Sequence, residues 1–489
     1  FKLACADGHG VREGLQPRLM GARRRSRSGD GTSTRTSDLS DLQGLTCALA
    51  ADALGVELDS VRDCLSQKAC AKPGELIDDL VSSLTADPAN VSQVRKASSA
   101  LWALALGSDH HQAKISDAGG IEALLGTMKM HPQRADVQEE VCGALGTLAA
   151  CQASRSKIAA AGGVQSILNA MRAHAGCPGV QQKACGALGN LTSEHADNQR
   201  LVAREEGVSL ILDAMQAHPQ SSSVLEKACA ALWSLAANSD ENKLQIVVQD
   251  GIRAVVDAMR AHPHAFRLQE KGCGALRNLA AHQDNQSKIG LAGGIAVALG
   301  SMATFRDSPI LQKEACGALQ NIAGTPENQL DIATSGGIGE ILSAMQRHSD
   351  SACVQEAACG ALGNLAVDDG NQAGLVSAGG IEAVVAAMRA HVTSAGVQEK
   401  ACGALGNIAA GNVSSQLRVI SAGGINGVLE AVRVHGENQK VLVNAEGVLR
   451  NLAANFVSAV PASQGGGDGQ ANAQASGPGM PDAKRQRLA

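Results

Sequence analysis

Cysteine and histidine are the residues of this chain best placed for chemistry, and both recur on a fixed period. Cysteine stands at Cys142, Cys185, Cys229, Cys273, Cys316, Cys359 and Cys402, always 43 or 44 residues apart. Histidine recurs at His131, His174, His218, His262, His348, His391 and His435. Such residues can bind zinc, pair as disulfides or move protons. The regularity argues against all three. An active site needs unlike groups converging once. Copies separated by one helix layer, about 10 Å, are too far apart for a zinc site or a disulfide. No CxxC occurs. The cysteine therefore reads as a small apolar filler on the flank of a helix. The histidines fall where a helix ends, so they read as caps for its last carbonyls.

No other reactive constellation emerges. There is no GxGxxG after a strand, no HExxH, no nucleophile elbow and no P-loop, so the chain is expected not to be an enzyme. No cofactor, metal or small-molecule substrate is implied. The formal charge is −5, and aromatics make up 1% of 489 residues, with four Phe, two Trp and no Tyr. That composition offers nucleic acid neither a basic surface nor stacking platforms. No run of 18 apolar residues suggests a membrane span. The 14 cysteines in a long helical pattern fit reduced thiols, hence a cytoplasmic chain, with the nucleus as the alternative. It opens Phe1-Lys2-Leu3 without Met, which points to a missing true N-terminus.

The elements that position these residues repeat in the same phase. Glycine pairs stand at Gly119-Gly120, Gly162-Gly163, Gly293-Gly294, Gly336-Gly337, Gly379-Gly380 and Gly423-Gly424, with Gly207 and Gly251 in the second place of two further copies. Each pair ends a short helix in a left-handed turn. An amphipathic helix follows, as in Ile381, Val384, Val385 and Met388. After a polar break comes the cysteine helix, with its stripe at Val397, Ala401, Ala404, Leu405 and Ile408. A loop asparagine, such as Asn198, Asn242, Asn285, Asn328 or Asn371, reads as the N-cap of the next short helix.

Three helices per 43 residues, over about nine copies, resembles the armadillo repeat. The resemblance implies an all-α fold, a right-handed superhelical α-solenoid whose third helices line a concave groove. Residues 1–37 read as a disordered basic segment, 38–72 as a helical lead-in, 73–455 as the solenoid and 456–489 as a disordered tail. Ser98 and Glu446 replace the cysteine in the first and last copies, as polar residues on unpartnered end faces would.

Partner-binding residues are expected on the third helices. Five after the cysteine stand Asn190, Asn278, Asn321, Asn364, Asn407 and Asn451. Amides offer donor and acceptor together, and the resemblance implies that they hold an extended peptide's backbone; local capping is the alternative. Import receptors of the family add a tryptophan four before the asparagine, where Gly360 and Gly403 stand here. Their acidic groove residues are diluted here: Glu226 precedes Lys227, Glu270 precedes Lys271 and Glu399 precedes Lys400. The position after the cysteine is always tiny (Gly143, Gly186, Ala230, Gly274, Gly317, Gly360, Gly403, Gly447), which indicates either close helix approach or an open groove floor. Four after the cysteine the types vary, with Gly146, Gly189, Trp233, Arg277, Gln320, Gly363, Gly406 and Arg450; this reads as an exposed site where glycine is merely tolerated. Trp102 and Trp233, both in that place, are expected to be partly exposed on the binding face, roughly 30 Å apart. Arg277 shares the position. The expected function is a non-catalytic scaffold binding a protein or peptide segment. The alternatives are a regulatory segment of a larger enzyme, such as a leucine-rich-repeat kinase, and a divergent nuclear transport adaptor. Regular arrays of this type also occur in many protist proteins.

Overall fold

The computed structural model describes residues 73–410 and 412–459. The basic segment, the lead-in and the tail inferred at 1–37, 38–72 and 456–489 lie wholly or largely outside the described residues. Twenty-six helices occupy the described residues, and they repeat as units of three, a solenoid of armadillo type. The chain divides into two compact units between Ala254 and Val255.

We number the nine third helices in chain order. The first unit holds α1 (Val91–Gly107), α2 (Ala135–Leu148), α3 (Pro178–Thr192) and α4 (Ser222–Leu235). The second holds α5 (Phe266–Ala280), α6 (Pro309–Ile322), α7 (Ala352–Leu365), α8 (Ala395–Ile408) and α9 (Gln439–Ala459). Within each unit, successive third helices pack side by side, and the amphipathic second helices pack against them. Val, Ala, Leu and Cys side chains form the seams, and all seven repeat cysteines are fully buried. Burial pushes the thiols of Cys142, Cys185, Cys273, Cys316 and Cys402 up to about 12, so they are inert fillers.

The glycine pairs turn the chain as their composition requires. In six copies the first glycine has φ between 80° and 89°. Glu206 (φ 65°) and Asp250 (φ 66°) hold that conformation in two others, so the first place tolerates a side chain. The second place does not. A Cβ on Gly163 or Gly337 would come under 3.0 Å from the isoleucine five residues earlier, its backbone oxygen included.

Three local expectations change. Each loop asparagine follows the N-cap by three residues. The side chains of His195, Ser239, Thr325 and Asp368 accept from the backbone N–H of Asn198, Asn242, Asn328 and Asn371. The asparagine instead donates its Nδ2 to the last turn of the preceding third helix, as from Asn198 to Leu191 O (2.8 Å) and Asn328 to Ile322 O (2.9 Å). Those carbonyls have no partner within their own helix.

The histidines reach across copies rather than capping their own helix with the ring. Nε2–H donates to a loop carbonyl of the preceding copy: His174 to Pro132 (2.9 Å), His218 to Ala175 (2.8 Å), His348 to Arg306 (2.8 Å), His391 to Ser349 (2.8 Å) and His435 to Val392 (2.8 Å). A buried glutamine at the start of the third helix does the capping. Gln398 Nε2 donates to Met388 O (2.9 Å) and His391 O (3.0 Å), and Gln138, Gln181, Gln269, Gln312 and Gln355 repeat the pattern.

Ser98 does not face solvent. It is fully buried with no hydrogen-bond partner for its hydroxyl, because helix Pro73–Ala86 packs on α1. Glu446 is exposed and paired with Arg450 at 2.6 Å.

Candidate functional site: the third-helix face

Helix periodicity puts the residues at three and two before the cysteine, and at one, four and five after it, on the side that successive third helices share. The positions one and four after the cysteine are coupled. The side chain four after the cysteine lies over the glycine of the next copy. Trp102 covers Gly143, where a Cβ would meet the indole at 2.9 Å. Arg277 covers Gly317, with Nε 2.7 Å from such a Cβ, and Gln320 covers Gly360 in the same way. The glycine after the cysteine is thus a receptacle for its neighbour's side chain.

Where the fourth position is itself glycine, backbones approach. A Cβ on Gly146 would lie 3.1 Å from Ala187 Cα, and one on Gly189 would lie 3.4 Å from Ala231 Cα. Gly146 therefore sits in a tight backbone approach, which the reading of an exposed, merely tolerated glycine did not anticipate. Gly406 has ordinary room, with Val448 3.7 Å away.

Trp102 is 3% exposed, so it is not the partly exposed indole expected from the wheel. Gly143 leaves the hole that it fills. Its Nε1–H donates to Thr147 Oγ1 (2.9 Å), and the Lys183 ammonium stands 4.6 Å above the ring. One side chain on α1 thereby engages α2 and α3. Trp233 is half-buried.

The asparagines do not form an open ladder. Asn190 Nδ2 donates to Gly146 O (2.8 Å), Asn321 to Arg277 O (2.9 Å), Asn364 to Gln320 O (2.8 Å), Asn407 to Gly363 O (2.9 Å) and Asn451 to Gly406 O (2.8 Å). Each acceptor lies in the preceding third helix, so the amides tie copies together. That differs both from peptide clasping and from local capping. Asn364 and Asn407 are only 4% and 5% exposed, which puts them beyond a partner's reach. Asn190, Asn278, Asn321 and Asn451 remain half-buried.

The residues that do line this face with charge are neighbours in sequence, three and two before the cysteine. Ammonium and carboxylate meet in Glu226–Lys227 (2.8 Å), Glu270–Lys271 (2.6 Å), Lys313–Glu314 (3.4 Å) and Glu399–Lys400 (3.2 Å). Arg277 Nη1 adds a second donor to Glu314 Oε2 at 3.1 Å. Their adjacency, read from sequence as dilution of acidic charge, marks self-paired dipoles on a partly dry surface. Glu139 and Glu140 on α2 break the pattern with two like charges. Burial, and then Glu139, push Glu140 up to about 7.

Among the described residues no group of three His, Cys, Asp or Glu could hold a metal. No single described helix is long and apolar enough to cross a membrane, although two bent helix pairs pass that test when taken together.

The family model described as LRRK2 ARM repeat matches residues 163–335 and 338–462. A 40-residue stretch is 52% identical to Protein aardvark of Dictyostelium discoideum, covering 8% of this chain and 5% of that protein. The crystal structure of an engineered protein is similar with a TM-score of 0.65 and 27% identity, over 86% of this chain and 97% of that one. A second engineered protein covers 50% of this chain and is itself covered over 96%, with a TM-score of 0.45 and 27% identity.

Proposed function

The chain belongs to the LRRK2 ARM repeat family, and on that footing we propose that it is a non-catalytic scaffold holding an extended partner segment along its third-helix faces. The observation that carries this reading is the recurrence of Glu–Lys pairs on the third helices, in which Glu226, Lys227, Lys271, Lys313 and Glu399 are half-buried while Glu270, Glu314 and Lys400 are buried. Their half-buried members offer donors and acceptors, and within the second unit the pairs of α5 and α6 stand on helices one layer, roughly 10 Å, apart. An extended backbone rises about 3.3 Å per residue, so residues three apart in a strand bound to the second unit meet the pairs of α5 and α6. Carboxylates can accept from its N–H groups and ammoniums can donate to its carbonyls. The asparagines contribute by fixing the spacing of the helices. Half-buried Trp233 is the one aromatic anchor available on the described third-helix face of the first unit, beside Glu226 and Lys227.

A second reading, a regulatory repeat segment of a larger enzyme, is favoured by the family match itself. Sequencing the full-length transcript tests it.

The binding reading is tested with tiled peptides from candidate partners, titrated against the full chain. Trp233→Ala should weaken a peptide that occupies the first unit at least tenfold, because tryptophan truncation at an interface commonly costs about 2 kcal/mol or more. It should lower stability by less than about 1.5 kcal/mol. Unchanged affinity in Trp233→Ala and in Lys227→Ala would show that the partner lies elsewhere.

A further inference from the structure

Glu140 sits on α2, two residues before Cys142, where other copies carry Lys183, Lys227, Lys271 and Lys400. Its Oε2 is buried and has no hydrogen-bond partner. Charged and polar groups face it from every side. Glu139 belongs to its own helix, Ser99 and Arg95 come from α1, and Lys183 comes from α3 with Lys227 of α4 behind it. The Glu139 carboxylate rests on Gly179 in the first turn of α3, where the helix N-terminus favours an anion. Lys183 is held over the Trp102 ring. Ser98 on α1 carries a buried hydroxyl without a partner, while Ser99, Arg95 and Lys183 favour an ionised Glu140 without outweighing burial and Glu139.

We infer that Glu140 is a proton switch for the α1–α2 seam: protonated, it leaves the seam neutral and closed; ionised, it places a poorly compensated carboxylate between the two helices and loosens α1. A carboxylate oxygen buried without a partner disfavours the ionised form, and such a group takes up a proton more readily. Desolvation and the neighbouring Glu139 push Glu140 up to about 7, which brings the switch into the physiological range. The Ser99 hydroxyl, and then the cations Arg95 and Lys183, act in the opposite direction and keep the switch from moving higher. The inference is independent of which partner the third-helix face takes.

Trp102 lies on α1 at this seam and reports on it. In a Trp233→Phe background it is the only tryptophan of the chain. Raising the pH from about 5.5 to about 8.5 should shift its emission to longer wavelength and open it to acrylamide, with a midpoint near 7. Glu140→Gln should abolish the transition, and Glu139→Gln should move it to lower pH by removing the like charge. His131 contacts Pro88 O at the start of this region. A transition that survives Glu140→Gln and disappears in His131→Gln would overturn the inference, and so would a flat profile in the Trp233→Phe chain. A direct measurement does not depend on any variant folding. The 13C resonance of the Glu140 carboxyl in the unaltered chain should titrate near 7, and titration near the ordinary glutamate value of about 4.3 would sink the proposal.

Discussion

The α1–α2 seam and the α6–α7 seam answer one steric question with different chemistry. In both, a side chain four after the repeat's reference position covers the glycine of the next third helix. On α1 it is Trp102, rigid and 3% exposed, held by Thr147 and capped by Lys183. On α6 it is Gln320, a flexible amide that is 7% exposed over Gly360. Both glycines are small for the same reason, yet their tolerance to change differs. A planar ring filling a glycine-floored hole cannot yield, whereas an amide can swing. Close packing is therefore a property of the pair, and reading the glycine alone overstates or understates its importance.

The largest expected effect breaks that comparison outright. Trp102→Ala should destabilise the first unit by about 3–5 kcal/mol through the cavity it leaves. Gln320→Ala should cost less than about 1 kcal/mol, as removal of one polar side chain from a seam that can close. Hydrogen exchange should locate the first loss on α1 and α2, because repeat stability is carried by nearest-neighbour interfaces. Equal losses in both variants would mean that the ring is not what holds its seam.

A smaller effect separates the seams by pH. The folded chain holds the Glu140 proton up to about 7, whereas an unfolded glutamate releases it near the ordinary value of about 4.3. A raised carboxyl contributes stability that is fully present below the unfolded value and is lost as pH rises through the folded one. Chemical denaturation should therefore show stability falling by up to about 3 kcal/mol between pH ~4.5 and ~7.5. Glu140→Gln should flatten that slope. An unchanged slope in the variant would assign the effect to other groups.

The smallest effect sharpens the comparison. Gly143→Ala should cost about 1–3 kcal/mol by overpacking against the indole. Gly360→Ala should cost less than about 1 kcal/mol, since only the end of Gln320 must move. Gly360→Leu should return to about 1–3 kcal/mol, because the added bulk exceeds what Gln320 can release. Paired melting curves decide this, and a Gly360→Ala loss as large as that of Gly143→Ala would count against the distinction between ring and amide.

Much was legible in the chain because repetition compares the copies with one another. The period, the three helices, the left-handed glycine turns and the burial of the cysteines all follow from local rules. A helix needs an apolar stripe, and a reversal needs a residue that accepts positive φ. Gly207 and Gly251 even reveal which glycine of the pair is indispensable, since Glu206 and Asp250 replace only the first. Polar side chains were read less well. Asn364, Asn407, His391 and the loop asparagine Asn371 each have a plausible local role, and their identity says nothing about which of several unpaired carbonyls lies within 3 Å.

By itself the sequence determined the armadillo-type repeat, its register and the residues that fill its core, because these depend on spacing within one copy. Only the tertiary structure decided what crosses between copies: Asn407 bonded to Gly363, His391 bonded to Ser349, Trp102 laid on Gly143, and Glu140 with one oxygen buried and unpartnered. Those outcomes depend on the offset between stacked helices. A shift of one or two ångströms turns a groove donor into a helix cap, or an exposed indole into a buried one, while leaving every intracopy spacing unchanged.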